Sequence, residues 1–245
     1  MTGGARRVGR AVVEDLAAHG FAVAIHCHRS RADADELAAS INANGGRAAV
    51  VVADLSQMQA AEGLIEAAEN AVGPLSLLVN NASVFEDDCV TDFDWETWDR
   101  HFAVHVKAPV LLARRFAERL PDKGEGLIVN MIDQRVWRLT PSYFSYTLSK
   151  SALWTATTTM AQALAPNIRV NAIGPGPTLA NAQQQPQDFA AQVEGLILGR
   201  GSELSEFGAT IRYLWSARSV TGQMIALDGG QHLAWRTPDV TGMAE

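Results

Sequence analysis

The sequence predicts an α/β fold: a doubly wound parallel sheet with helices on both faces. Three observations carry this. Short apolar runs alternate with segments of helical period along the chain. The runs are apolar at successive positions, as strands covered on both sides must be. The length, 245 residues, suits one α/β unit, since such domains often run past roughly 200 residues undivided.

Taken in order, FAVAIHC (21–27), AAVVVADL (48–55), SLLVNNA (76–82), GLIVNMI (126–132), IRVNAIG (168–174) and MIALDGG (224–230) read as strands. RAVVEDLAAHG (10–20), ADADELAASINANG (32–45), QAAEGLIEAAENAVG (59–73), the long stretch 98–120, the stretch 146–165 and ELSEFGATIRYLWSA (203–217) read as helices, several of them closed by Gly or Pro. No repeat, low-complexity tract or dividing linker appears, so residues 1–245 are expected to form a single domain. The polar segment ANAQQQPQDF (180–189) reads as a loop-like insertion that could serve as a lid, within a substrate loop expected around residues 178–200.

Composition excludes several function classes. A net charge of −7 argues against a protein that neutralises nucleic-acid phosphates. Cys27 and Cys89 are too few for a disulfide framework and suit a reducing cytoplasm. Glu14 and Asp15 interrupt the apolar run that a secretion signal would need, and no stretch reaches the roughly 18 apolar residues of a membrane span. No metal site is expected, and the predicted partners are small molecules.

The motif TGGARRVG (2–9) precedes a helix whose free N–H groups and dipole suit a pyrophosphate, with Gly3, Gly4 and Gly9 permitting a tight turn and close approach. In a Rossmann-type fold the end of the second strand meets the adenosine ribose, where an acidic residue would select NAD. This chain has HCHRSR (26–31) there; His28, Arg29 and Ser30 supply donors and positive charge, so NADP(H) is the expected cofactor.

Tyr146 and Lys150 stand at i and i+4 on one predicted helix, with Asp133 thirteen residues before the tyrosine. An ammonium beside a phenol favours the phenolate, so Lys150 is expected to lower the pKa of Tyr146 and ease proton donation to substrate. Tyr143 is a rival without a cation four residues on, and is discounted.

These motifs, with Asp54-Leu55, NNAS (80–83), YTLSK (146–150), PGPT (175–178) and TGQMIALDGG (221–230) in the same order, resemble the short-chain dehydrogenases/reductases over nearly the whole chain. The resemblance implies that Gly3, Arg7 and Gly9 cradle the cofactor, that Asp54 and Leu55 contact adenine, and that Asn81, Ala82 and Ser83 line the cofactor. It also implies that Lys150 holds the nicotinamide ribose, that Pro175 and Gly176 bind the cofactor with Thr178 beside the carboxamide, and that the protein is a homotetramer or homodimer. Asp133 departs from the serine common in the family and resembles the pteridine reductases and dihydromonapterin reductases, as do Arg7 and the HRS turn. A carboxylate there accepts N–H groups or shares a proton with Tyr146, favouring a nitrogen heterocycle over a ketone. By that resemblance Arg7 and Ser83 contact pterin and Phe85 walls it; the other reading of Phe85 is a core aromatic under its loop.

His105 stands where the family has a helix-kinking asparagine in a proton relay, and reads either as a substitute in that relay or as a satisfied core histidine. Trp235 and Arg236 read either as a cap on a neighbouring subunit's site or as an ordinary terminus. The family's first strand has no counterpart before MTGG, from which the natural chain is expected to begin upstream. The resulting expectation is an NADPH-dependent reductase of a reduced pterin, with Asp133, Tyr146 and Lys150 catalytic. Two alternatives are a carbonyl or enone reductase of the same family and a non-catalytic NADP(H)-sensing protein.

Overall fold

The computed structural model describes residues 1–121, 124–180, 184–235 and 237. Its elements run α1 (Arg7–Ala18), β1 (Ala22–Cys27), α2 (Arg31–Ala43), β2 (Arg47–Val52), α3 (Met58–Glu62), α4 (Leu64–Val72) and β3 (Leu77–Asn80) in the first third. Then come α5 (Trp95–Phe102), a π-helical turn (Ala103–Lys107), α6 (Ala108–Arg119), β4 (Gly126–Met131) and α7 (Phe144–Ala163). β5 (Ile168–Pro175), α8 (Pro186–Glu194), α9 (Leu204–Ser216) and β6 (Met224–Leu227) complete the order.

All paired strands are parallel, β1 with β2 and β3-β4-β5-β6 in that order, so every connection crosses back through a helix. The predicted burial on both faces holds for the inner strands, β4 being buried at every position, whereas the outer strands β2 and β6 are partly exposed. One core packs Val12, Leu16, Phe207 and Ile211 of α1 and α9 against Ile25 and Val129. The other packs Leu64, Leu112 and Phe116 of α4 and α6 against Leu78 and Ile128. These two layers confirm the doubly wound architecture.

The two groups of strands are joined by residues 1–4. His26 N–H donates to Met1 O and Gly4 N–H to His26 O on one side, while Thr2 N–H donates to Val79 O on the other, each at 2.9 Å. Behind this bridge a cavity of about 360 Å³ separates β1 from β3, lined by Leu16, Phe21, Val23, Leu64, Val72 and Leu78.

Three local expectations are corrected. Gly63 divides the predicted helix 59–73 into α3 and α4. The predicted helix 98–120 widens at Ala103–Lys107, where Ala108 N–H reaches five residues back to Ala103 O. The cause is Pro109, which lacks an N–H for the His105 carbonyl and whose ring crowds it. Finally, the second half of the expected loop 180–189 is helical: Pro186 opens α8 at its first turn, where a missing N–H costs nothing. Residues 181–183 lie outside the described residues.

Candidate active site

A cleft of about 1250 Å³ opens at the carboxyl ends of the strands, where loops rather than helix bodies face the sheet edge. One end holds the glycine turn. Gly3 has φ +59°, and a Cβ on Gly9 would lie 2.1 Å from Gly3 O, so the turn and the first residues of α1 fit together only without that side chain. Asn81 fastens the turn, its side-chain amide donating to Thr2 O (3.0 Å) and Gly3 O (2.9 Å), and the Thr2 hydroxyl accepts from the N–H groups of Asn81 and Ala82. His28, Arg29, Ser30, Asp54 and Leu55 line the same end, with His28 Nε2 3.7 Å from the Asp54 carboxylate.

The other end holds the predicted acid–base group. Asp133 follows β4, and Tyr146 and Lys150 share one face of α7, both buried. The Tyr146 hydroxyl donates to Asp133 Oδ2 at 2.9 Å, while Asp133 Oδ1 accepts Arg135 N–H at 2.8 Å. Burial raises the Asp133 pKa above the usual carboxylate range. Burial, then the Asp133 charge and hydrogen bond, pushes Tyr146 well above an ordinary phenol. This corrects the expectation that Lys150 would favour a phenolate. The lysine Nζ donates to Met131 O at 2.8 Å and lies 5.7 Å from the Tyr146 ring centre, so the phenol's immediate partner is an anion. Burial lowers Lys150 itself to about 8, against the pull of Asp133. Burial and the Asp133 carboxylate therefore both favour the neutral phenol of Tyr146.

Phe85 is 39% exposed and lies in the cleft, which decides against a core role. Its ring stacks on Tyr143 (4.3 Å between centres, 15° between planes) and stands perpendicular to Tyr146 at 4.8 Å. Tyr143, set aside on sequence grounds, is thus a second aromatic face of the site, held in the left-handed region at φ 57° with Arg135 over its ring. Arg7, also at positive φ, donates to the carbonyls of Leu179 and Ala180 and ties the glycine turn to the loop after β5. In that loop Thr178 Oγ1 lies 2.7 Å from Ser202 Oγ, and Pro175 and Gly176 line the cleft. Ser83 Oγ is 3.0 Å from His105 Nε2. Trp235 is described and exposed, whereas Arg236 lies outside the described residues.

Sequence reasoning missed several residues here. His26 accepts Gly3 N–H on Nδ1 at 3.1 Å and donates from Nε2 to Ala53 O at 3.0 Å. Gln134, next to Asp133, buries a carbonyl oxygen with no partner among the described residues. His101, Ser145 and Asp88 form a buried chain behind Tyr146. Only the buried position of His26 within a predicted strand offered a signal, since an unpaired imidazole would not be left there.

A glycine turn facing a buried phenol and carboxylate across the carboxyl edge of a parallel sheet is the arrangement of a nucleotide-dependent oxidoreductase. Residues 3–232 match the family described as Enoyl-(Acyl carrier protein) reductase, and the chain belongs to the short-chain dehydrogenases/reductases. It is similar to the crystal structure of FolM alternative dihydrofolate reductase 1 from Brucella canis in complex with NADP. There the identity is 60% and the TM-score 0.96, over 98% of this chain and 95% of that one. It is 31% identical to pteridine reductase 1 of Leishmania tarentolae, over 95% of each chain. It is also 34% identical to L-xylulose reductase of Bos taurus, over 94% of each.

Proposed function

We propose that this chain is an NADPH-dependent reductase of a reduced pterin, of the dihydromonapterin or dihydrobiopterin kind. The observation that carries the reading is the 2.9 Å hydrogen bond from Tyr146 to Asp133 inside the aromatic-walled cleft. A carboxylate there would repel a developing oxyanion, which disfavours a plain ketone. It suits a ring that presents N–H groups: Asp133 accepts them, and the unpartnered carbonyl oxygen of Gln134 adds a second acceptor. Phe85 and Tyr143 offer flat faces for stacking. The likeness to a FolM dihydrofolate reductase and to a pteridine reductase supports the same substrate class.

The residues at the other end of the cleft fit NADP(H). The cradle that a Cβ on Gly9 would fill leaves room for a pyrophosphate at the start of α1, and no acidic side chain stands among His28, Arg29 and Ser30 to repel a 2′-phosphate. When bound, the nicotinamide supplies the hydride. Asp54 and Leu55 would meet adenine; Asn81, Ala82 and Ser83 would line the cofactor's middle; Pro175, Gly176 and Thr178 would meet the carboxamide. Lys150 would hold the ribose. Tyr146, kept as a phenol by burial and Asp133, gives a proton to the substrate, and Asp133, which accepts the phenol's hydrogen bond, orients it; the proton Tyr146 gives up is replaced from solvent.

The test follows NADPH absorbance with dihydromonapterin, dihydrobiopterin, dihydrofolate and a panel of ketones and enones in parallel. Dihydropterin turnover is expected. Asp133→Ser should cut its kcat/KM by about 10²-fold or more, the scale of one acid–base partner, while ketone turnover persists. Turnover of ketones or enones alone would overturn the assignment in favour of a carbonyl reductase. Tight NADPH binding without turnover of any of them would favour a sensor.

The same reading places the protein in the cytoplasm as a homodimer or homotetramer. Supporting it are two free thiols, an acidic surface, and Trp95, Val110 and Leu148 exposed on α5, α6 and α7. Among the described residues no helix is long and apolar enough to cross a membrane.

A further inference from the structure

Behind Tyr146 two imidazoles lie one helical turn apart, buried and stacked with 5.5 Å between ring centres. His101 lies in the last turn of α5 and His105 in the π-helical turn that follows. Each faces a serine of α7. His101 Nδ1 is 2.7 Å from Ser145 Oγ, and His105 Nδ1 is 2.8 Å from Ser149 Oγ. The two pairs repeat because crossover helices of a parallel sheet run the same way, so one turn along the first matches one turn along the second.

The opposite nitrogens face the substrate wall. Val84 N–H donates to His105 Nε2 at 3.1 Å, and Glu86 N–H donates to His101 Nε2 at 3.4 Å. A nitrogen that accepts from a backbone N–H carries no proton, so each neutral ring must hold its proton on Nδ1 and donate it to serine. The serines pass the direction on, Ser149 to Tyr146 O at 2.7 Å and Ser145 to the Asp88 carboxylate. Asp88 also accepts Ser145 N–H at 3.0 Å. Every donor in the two chains has an acceptor. The relay reading of His105 finds no support in these contacts, since both its nitrogens are engaged away from Lys150.

We infer that His101 and His105 are positioning residues, two rungs of a clamp that holds the loop bearing Ser83 and Phe85 against the helix bearing Tyr146. The clamp sets the distance between the aromatic wall and the phenol, and therefore how a flat substrate seats. Tyr146 itself is wedged by the same rings, perpendicular to His105 at 5.3 Å and to His101 at 5.9 Å. Burial supports the neutral state by lowering both histidines, His105 well below the usual range. Only the role of the wall in seating substrate rests on the pterin reading; the tautomers and the loop contacts do not.

Two measurements on the full chain test this. In ¹⁵N-histidine-labelled protein, four rings should carry a proton on Nδ1: the buried His101 and His105, together with His19 and His232, whose Nδ1 atoms face the Asp15 carbonyl and the Asp228 carboxylate. The buried pair should keep a bare Nε2 against the usual solution preference. One of these signals should vanish in each of His101→Leu and His105→Leu. Second, His105→Leu should raise the KM of the substrate found in the NADPH assay by about tenfold with kcat within about threefold, and speed amide exchange in loop 83–88. His105→Gln, which keeps an acceptor and a donor, should restore much of both. Protons on Nε2, or equal behaviour of Leu and Gln variants, would overturn the clamp. Should no pterin be a substrate, the labelling and exchange results still decide it.

Discussion

His26 shows how a single side chain serves both stability and function. It is buried in β1, takes the Gly3 N–H on one nitrogen and gives the other proton to Ala53 O. Burial lowers its pKa from 6.5 to about 4, against a weaker hydrogen bond to Ala53 that raises it. Because the folded value lies below the unfolded one, protonation favours the unfolded chain. Full stability is present above pH 6.5 and is lost progressively as pH falls toward 4, by about 3 kcal/mol at most. Chemical denaturation at pH 7 and pH 4.5 should therefore show a steeper loss in the wild type than in His26→Gln. Equal slopes would mean that another group carries the acid sensitivity. The same residue holds the glycine turn, so the loss should be accompanied by weaker cofactor binding.

Among the elements, the first turn of α1 and the glycine turn act as one unit. A Cβ on Gly9 would meet Gly3 O at 2.1 Å and the Asn81 amide nitrogen at 2.8 Å, both fixed by the Asn81 bonds. Backbone must move to admit it. Gly9→Ala is expected to weaken NADPH binding by at least about tenfold, measured by quenching or enhancement of NADPH fluorescence, with an overpacking cost of about 1–3 kcal/mol in stability. Unchanged affinity would show that the cradle is more pliant than its contacts imply. The π-helical turn illustrates a different dependence. Pro109 forces the helix open, and the widened turn is what brings His105 in line with Ser149 and the substrate wall.

At the scale of the molecule, the cleft spans both groups of strands. His28, Arg29 and Asp54 belong to the β1–β2 side, and Asp133, Tyr146 and Lys150 to the β3–β6 side, joined by the short bridge of residues 1–4. A dinucleotide bound along it would hold the two sides together. NADPH at 100 times its dissociation constant should add about 2.7 kcal/mol and raise Tm by roughly 5–10 °C, with NADH giving clearly less at the same concentration. An equal rise with both nucleotides would count against Arg29 and its neighbours as readers of the 2′-phosphate.

Much of this protein was determined by the sequence alone. Runs of apolar residues and helical periods are local properties, so the six strands, the doubly wound layering and the positions of Tyr146 and Lys150 on one helix face followed directly. The glycine turn and the departure at Asp133 were equally readable, because each rests on a residue type at a fixed place in a motif. What only the tertiary structure decided depends on contacts between distant parts of the chain. The ionisation of Tyr146 turned on its depth and on which of two neighbours lay nearer, and the carboxylate won over the ammonium. The histidine–serine rungs join residues 44 apart, and the His26 link to the glycine turn joins residues 23 apart. No spacing rule connects such positions, because burial and hydrogen-bond direction exist only once the helices have packed on the sheet.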